Sequence, residues 1–369
     1  MTSLRIAIVG AGMIGVVHRR AALLAGAEVA GVLASSPERS AQVAAEWGTR
    51  PYSDVAEIAA SDVDLVHVTS PNATHAPYVE ALLAAGKHVV CEKPLGLTVA
   101  EARAMTEQAR EVGVVATVPY VYRFHPLVRE IRARAEAGEF GRWSLLHGSY
   151  LQDWLLAADS SNWRVDPAQG GRSRAFADIG SHWCDLVEWV SGEEIAAVSA
   201  QTGVTVAERP TGSVTSFSGA AEGPAAAVTT EDVVVLLLRT RSGVLGTLTV
   251  SQVAPGRRNR LWFELDGSRG SAVFDQENPE QIWLGSPDGD RLVSRDPSRG
   301  SAEQRRLATL PAGHAQGYAQ CFEAFVADTY AAVGGADPVG LPTFTDGLRS
   351  ARLIEAVLRS AESGGWEEV

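Results

Sequence analysis

Residues 4–15, LRIAIVGAGMIG, constrain the fold more than any other stretch, because an apolar, β-branched run passes directly into G-x-G-x-x-G and then into helix-compatible residues. Each glycine has a separate task in such a turn. Gly10 permits the tight turn, Gly12 lets the backbone approach a pyrophosphate, and Gly15 lets the next helix lie close on the strand, so that phosphate meets a helix N-terminus. A bare G-x-G-x-x-G carries little weight. Here a second strand pattern at residues 27–33 follows at the separation of one βαβ unit, and the combination predicts dinucleotide binding by a loop that includes Met13 and Ile14.

At 369 residues the chain exceeds what one hydrophobic core usually organises, so two domains are expected. An apolar content of 46% with mean hydropathy near zero excludes a chiefly disordered chain. Lys and Arg total 32 against 44 Asp and Glu, and the net charge of −12 opposes nucleic acid and anionic membranes. The expected partner is a small molecule. Cys91, Cys184 and Cys321 have no metal-type spacing and read as buried thiols in a reducing compartment, with no resident metal. No uninterrupted apolar run is long enough to span a bilayer, and no signal-like charged lead precedes the first strand, so a cytoplasmic protein is expected.

Strand patterns near residues 4–9, 28–33, 64–68, 88–91 and 114–118 alternate with Ala-rich helical stretches near 13–25, 37–47, 74–85 and 98–112, which predicts a parallel, doubly wound sheet. Thr98 followed by Glu101 reads as a capping box. Beyond a helix near 126–137 come a strand at 143–150, a helix at 178–190, and β-rich runs near 231–240, 243–253, 260–266 and 271–275. These predict an α/β domain with a largely antiparallel open sheet. The expected division is a nucleotide-binding domain over 1–122 and a substrate-binding and oligomerisation domain over 123–369, with late helices at 315–333 and 344–361, the last packing back on the first domain. Residues 207–230 and 286–314 read as surface loops, either lids or subunit contacts or insertions without function.

Val89-Val90-Cys91-Glu92-Lys93-Pro94 sets a lysine just past a strand, on the sheet edge where doubly wound folds collect ligands, and the proline restricts its backbone and makes a cis peptide conceivable. That position argues against an ordinary surface lysine. Asp178 and His182 are four apart, and on a helix they share one face, with Asp185 a further turn along. A carboxylate beside an imidazole suits a general base, although spacing alone describes a surface pair or cap better.

Taken together, the glycine loop, Thr69-Ser70-Pro71-Asn72 with His75, Glu92-Lys93-Pro94 and Asp178-Ile179-Gly180-Ser181-His182 resemble the glucose–fructose oxidoreductase, inositol dehydrogenase and MocA family over essentially the whole chain. The resemblance implies a Rossmann domain followed by an α/β domain whose open sheet forms an oligomer interface, in a homodimer or homotetramer. It implies a catalytic trio of Lys93, Asp178 and His182, and a nicotinamide site lined by Ser70, Pro71, Asn72, His75, Glu92, Lys93 and Arg123. His182 would then take a hydroxyl proton as carbon delivers hydride, Asp178 would orient the imidazole or the sugar, and Lys93 would bind the hydroxyl and stabilise alkoxide character. Tyr150-Leu151-Gln152-Asp153-Trp154 and Asn162-Trp163-Arg164 resemble the family's sugar dehydrogenases, which makes Gln152, Asp153, Trp163 and Arg164 candidates for a sugar pocket beside Lys93, Asp178 and His182. Trp154 reads equally as a core residue. His67, inside a strand, reads as a buried hydrogen-bonded histidine and His314 as a loop residue.

The carboxylate that grips the ribose 2′-hydroxyl in NAD enzymes is expected near the end of the second strand, where this chain reads Leu33-Ala34-Ser35-Ser36-Pro37-Glu38-Arg39. No carboxylate stands at the strand end, and Ser35, Ser36 and Arg39 can receive a 2′-phosphate, which favours NADP or dual use over NAD alone. The expected activity is hydride transfer between NAD or NADP and a secondary alcohol or ketone of a sugar, anhydrosugar or cyclic polyol. The alternatives are a ketosugar reductase of secondary metabolism and a noncatalytic NAD(P) sensor, the latter disfavoured by the intact trio.

Overall fold

The computed structural model describes residues 3–212 and 220–369. Residues 213–219, part of the expected loop at 207–230, lie outside the described residues. Six parallel strands, β1 (Arg5–Val9), β2 (Glu28–Leu33), β3 (Arg50–Pro51), β4 (Leu65–Val68), β5 (His88–Cys91) and β6 (Ala116–Thr117), lie in the order β3-β2-β1-β4-β5-β6. Helices α1 (Met13–Leu24), α2 (Pro37–Trp47), α3 (Val55–Ala60), α4 (His75–Ala84) and α5 (Val99–Val112) connect them. Ile6, Ala7, Ile8, Leu65, Val66, Val68, Val89 and Val90 are fully buried, as expected where helices cover both faces of a parallel sheet. The order reverses between β1 and β4, the switch point beyond which ligands of such sheets bind.

Local side-chain chemistry starts three of these helices. The Ser36, Asp54 and Thr98 side chains accept from the amides of Arg39, Glu57 and Glu101 and so cap α2, α3 and α5. The capping box at Thr98 is displaced by one residue, because the Glu101 carboxylate accepts from Leu97 N at 2.7 Å, not from Thr98.

The chain continues through α6 (Pro126–Glu136), β7 (Trp143–Leu151), α7 (Pro167–Gly170), a π-helical turn at Phe176–Gly180, α8 (Ser181–Ser191), β8 (Ile195–Gly203), β9 (Glu208–Pro210) and β10 (Ala225–Ala227). It then runs through β11 (Val233–Thr240), β12 (Leu245–Ser251), β13 (Arg260–Gly267), β14 (Ser271–Asp275), β15 (Gln281–Ser286), β16 (Gly289–Ser294), α9 (Ala302–Leu307), α10 (Tyr318–Val333), α11 (Phe344–Ser363) and β17 (Trp366–Glu368). Nine strands form the second sheet, in the order β16-β15-β14-β13-β7-β12-β11-β8-β17, with only the β7–β12 pair parallel. Its strands alternate: Val234, Leu236, Leu238, Leu248 and Val250 are buried in one core with Trp183, Leu186 and Val187 of α8, while Val235, Leu237 and Leu245 on the opposite face are about half exposed.

By contacts, Met1–Pro119, Asp166–Gly171 and Phe322–Ala351 form one compact unit, and Tyr120–Val165, Arg172–Cys321 and Arg352–Val369 form the other. Both units are therefore discontinuous in sequence. The stretch 286–314 also differs from a plain loop, since it holds β16 and α9, and the described part of 207–230 holds the β9–β10 pair. The reason is compositional: Gly289-Asp290-Arg291-Leu292-Val293-Ser294 is an exposed edge strand whose polar side chains give no alternating signal.

Candidate active site

In the first unit the glycine loop is shaped by backbone proximity. Gly10 has φ +104°, and a Cβ there would stand 2.6 Å from the Thr69 carbonyl, so the turns after β1 and β4 touch backbone to backbone. A Cβ on Gly15 would overlap the Gly10 carbonyl oxygen, whereas a Cβ on Gly12 would meet nothing within 4 Å. Gly12 is also the N-cap of α1 and supplies no side-chain cap, which leaves space and backbone amides for a pyrophosphate. A dinucleotide fits this cradle. Met13 is 45% exposed at the start of the same helix, beside Ile14.

Beyond β2, Ser36 spends its hydroxyl capping α2, while Ser35 and Arg39 are exposed. The turns after β4 and β5 are joined through His75, which is fully buried and lies 2.9 Å from both the Ser70 and the Pro94 carbonyl oxygens. Burial pushes its pKa down against the opposing pull of those carbonyls and Glu92, so the ring is neutral and donates to one of the two. The Ser70 hydroxyl meets Thr74 at 2.6 Å, Pro71 precedes the 3-10 turn at Asn72–Thr74, and Asn72 donates to Gly170 O at 2.8 Å. The Lys93–Pro94 peptide is cis, and Lys93 N donates to the Glu92 carboxylate at 3.2 Å.

In the second unit, Asp178 lies in the π turn and His182 in the first turn of α8, so the regular helix expected from residue 178 begins with a wider turn. Gly180 makes that turn possible, since a Cβ there would collide with the Phe176 ring. Trp183 fastens α8 to the sheet: its Nε1 donates to Trp262 O at 2.9 Å, in a notch that a Cβ on Gly148 would fill. The residue before it, His182, is 9% exposed and walled by Tyr120, Tyr122 and Tyr150, with ring centroids 5.6, 5.4 and 6.4 Å away. The Asp178 carboxylate accepts from Gln252 Nε2 at 2.8 Å and pairs with Arg164 at 3.3 Å.

The other candidates divide. Arg164 joins the Asp178 cluster and stacks on Trp163, whereas Asp153 pairs with exposed Arg258 at 2.8 Å and accepts from Gly256 N, a surface arrangement. Gln152 donates to Asn259, which closes a ring of hydrogen bonds with the Tyr122 and Tyr150 hydroxyls, and Trp154 Nε1 donates to Gln152. Burial pushes the Tyr122 phenol up to about 12 and raises that of Tyr150 well above the usual range, so both are neutral. Arg123 is held by both oxygens of Asp185 beneath Trp189. Gln252 and Asn259 come from a strand end and a turn far from the motifs and carry no local signature, while the sequence gives Tyr120, Tyr122 and Tyr150 no role although Tyr122 adjoins Arg123 and Tyr150 opens the stretch that holds Gln152.

A glycine cradle on a parallel 3-2-1-4-5-6 sheet defines a dinucleotide-binding fold. Residues 4–120 match the oxidoreductase family with an NAD-binding Rossmann fold, and residues 128–273 match the GFO/IDH/MocA C-terminal domain. The chain is 31% identical to levoglucosan dehydrogenase of Pseudarthrobacter phenanthrenivorans, covering 100% of this chain and 99% of that one, and 27% identical to inositol 2-dehydrogenase of Rhizobium meliloti, covering 97% of each. A solved structure of levoglucosan dehydrogenase in complex with NADH and L-sorbose superposes with a TM-score of 0.90 at 29% identity, over 100% of this chain and 99% of that chain. The protein belongs to the glucose–fructose oxidoreductase, inositol dehydrogenase and MocA family, and is an oxidoreductase of the sugar and polyol dehydrogenase class. No described helix is long and apolar enough to cross a membrane.

Proposed function

We propose that this oxidoreductase acts on a ring secondary alcohol of a sugar, anhydrosugar or cyclic polyol, with Lys93, Asp178 and His182 as its catalytic residues. The carrying observation is His182, set at the start of α8 by the Trp183 anchor and walled by three tyrosines, in a chain that also has an open glycine cradle. The bound nicotinamide supplies the hydride acceptor or donor. His182 takes the hydroxyl proton on oxidation and returns it on reduction, which is worth roughly 10²–10⁴-fold in rate. Asp178, steadied by Gln252 and Arg164, orients the substrate or the imidazole, and the Lys93 ammonium stabilises the developing alkoxide. The tyrosine faces and the Gln152 and Arg164 side chains suit a substrate with one apolar and one hydroxyl-bearing face. The relatives with bound NADH, levoglucosan or myo-inositol support this class.

For the cofactor, exposed Ser35 and Arg39 at the end of β2 favour NADP or dual use. The half-exposed Val235, Leu237 and Leu245 on the outer sheet face suit self-association into a dimer or tetramer, and the net charge suits a cytoplasmic, small-molecule enzyme. The test is nicotinamide absorbance with NAD or NADP and a panel of polyols, aldoses and anhydrosugars, run beside Lys93→Met. Reduction by the unaltered protein alone supports the reading. Tight cofactor binding without turnover in either direction would replace it with a cofactor sensor.

A further inference from the structure

Four side chains in the first unit form an unbroken buried chain of hydrogen bonds that the reaction above does not use. Tyr330 Oη lies 2.8 Å from His67 Nε2, His67 Nδ1 lies 2.8 Å from His18 Nδ1, and His18 Nε2 lies 3.0 Å from Glu92 Oε1. His18 and His67 are fully buried, and Glu92 and Tyr330 are 8% exposed. The other Glu92 oxygen accepts the Lys93 amide. Each member comes from a different element: α10, β4, α1 and the turn after β5.

The direction of this chain follows from donor counting. The Glu92 carboxylate accepts from His18 Nε2, and with the Tyr330 hydroxyl donating to His67 Nε2 every member of the chain is matched donor to acceptor. Burial holds His67 well below the usual histidine range, so it carries one proton, and with Nε2 accepting from Tyr330 that proton sits on Nδ1 and is donated to His18 Nδ1. His18 then carries its proton on Nε2 and donates it to Glu92. Every bond points the same way, and Glu92 is left an acceptor on both oxygens.

We infer that Tyr330, His67 and His18 are positioning residues: a one-way relay that holds the Glu92 carboxylate in place and through it the peptide of Lys93. His18 lies three residues after Gly15 on the helix that starts at the nucleotide cradle, so the relay ties the cradle to the lysine turn. The functional part rests on Lys93 acting on substrate as proposed above. The relay itself does not.

The test has two arms on the full chain. Nitrogen-15 NMR of histidine-labelled protein should show His18 protonated only at Nε2 and His67 only at Nδ1, and Tyr330→Phe should end the single-tautomer state of His67. A proton on His67 Nε2 would reverse the chain and overturn the inference. In the second arm, His18→Leu should lower kcat on the order of tenfold while NADH affinity stays within about twofold, as misplacement of a reacting group does. His18→Gln, whose amide can donate to Glu92 and accept from His67, should recover most of that loss. Equal turnover in the two variants, both low or both unchanged, would refute a positioning role. Absence of polyol turnover in the unaltered protein would sink the proposed function and leave the tautomer pattern to decide the relay.

Discussion

The two sheets of this chain prepare for ligands in opposite ways. In the six-stranded sheet the preparation is done by backbone: Gly10 and Thr69 meet main chain to main chain, Gly12 leaves room, and the uncapped start of α1 presents amides. In the nine-stranded sheet it is done by side chains: His182, Asp178, Gln252 and the Tyr122–Tyr150–Asn259 ring are held by mutual hydrogen bonds and ring contacts on a helix and strands. The contrast teaches that a backbone cradle suits a cofactor shared by many enzymes, while side chains can be exchanged to suit one substrate. Buried polar groups support both, as the Glu92 relay in one unit and the tyrosine ring in the other.

The sharpest way to break this comparison is to alter each region and measure both binding and turnover. His182→Ala should cost roughly 10²–10⁴-fold in kcat and leave NADH affinity unchanged, and unchanged turnover would remove His182 as the base. Gly10→Ala should do the converse, costing about 1–3 kcal/mol of strain through its positive φ and its contact with Thr69, read as weaker cofactor binding and a lower Tm. Gln252→Leu removes a hydrogen bond to the Asp178 carboxylate, an interaction worth about 1.5–3 kcal/mol, and should lower kcat by roughly tenfold or more with cofactor affinity intact. Arg39→Ala should weaken NADPH roughly tenfold and NADH hardly at all, and equal effects on both would reject the 2′-phosphate role.

The last effect is on stability against pH, and at neutral pH it is silent. Burial pushes the His125 imidazole from 6.5 down to about 3, and its Nδ1 accepts from Leu127 N to cap α6. The unfolded chain therefore takes up a proton at this residue below about pH 6.5 that the folded chain refuses until about pH 3. Its contribution to stability is present above pH 6.5 and lost progressively as pH falls through that window. His125→Asn keeps a cap and removes the titration, so unfolding free energy should lose about 1.4 kcal/mol per pH unit of slope between those limits. An unaltered slope in denaturant melts would count against the assignment.

Much of the first unit was legible because its signals are local. A β-branched run, three glycines at fixed offsets and the N-cap at Thr98 each act within a few residues, and the parallel sheet follows from the alternation of strand and helix patterns. The second unit was legible mainly where strands alternate, as in β11 through β14, and illegible at the polar edge strand β16 and at β8, whose exposed end Gln201-Thr202-Gly203 breaks the pattern. His67 was read as a buried histidine, and it is one, but nothing in its strand points to His18 or Tyr330, which stand 49 and 263 residues away.

The amino-acid sequence by itself determined the cradle and the place of the lysine after β5, because motif chemistry depends on spacing along one chain, whereas Asp178 and His182 stand out only through the resemblance to the family. Tertiary structure alone decided which groups steady them: Gln252 and Arg164 on Asp178, three tyrosines around His182, and the ordered protons from Tyr330 to Glu92. Those contacts come from burial and donor–acceptor balance between distant segments. A hydrogen bond across 263 residues leaves no periodicity and no spacing to read.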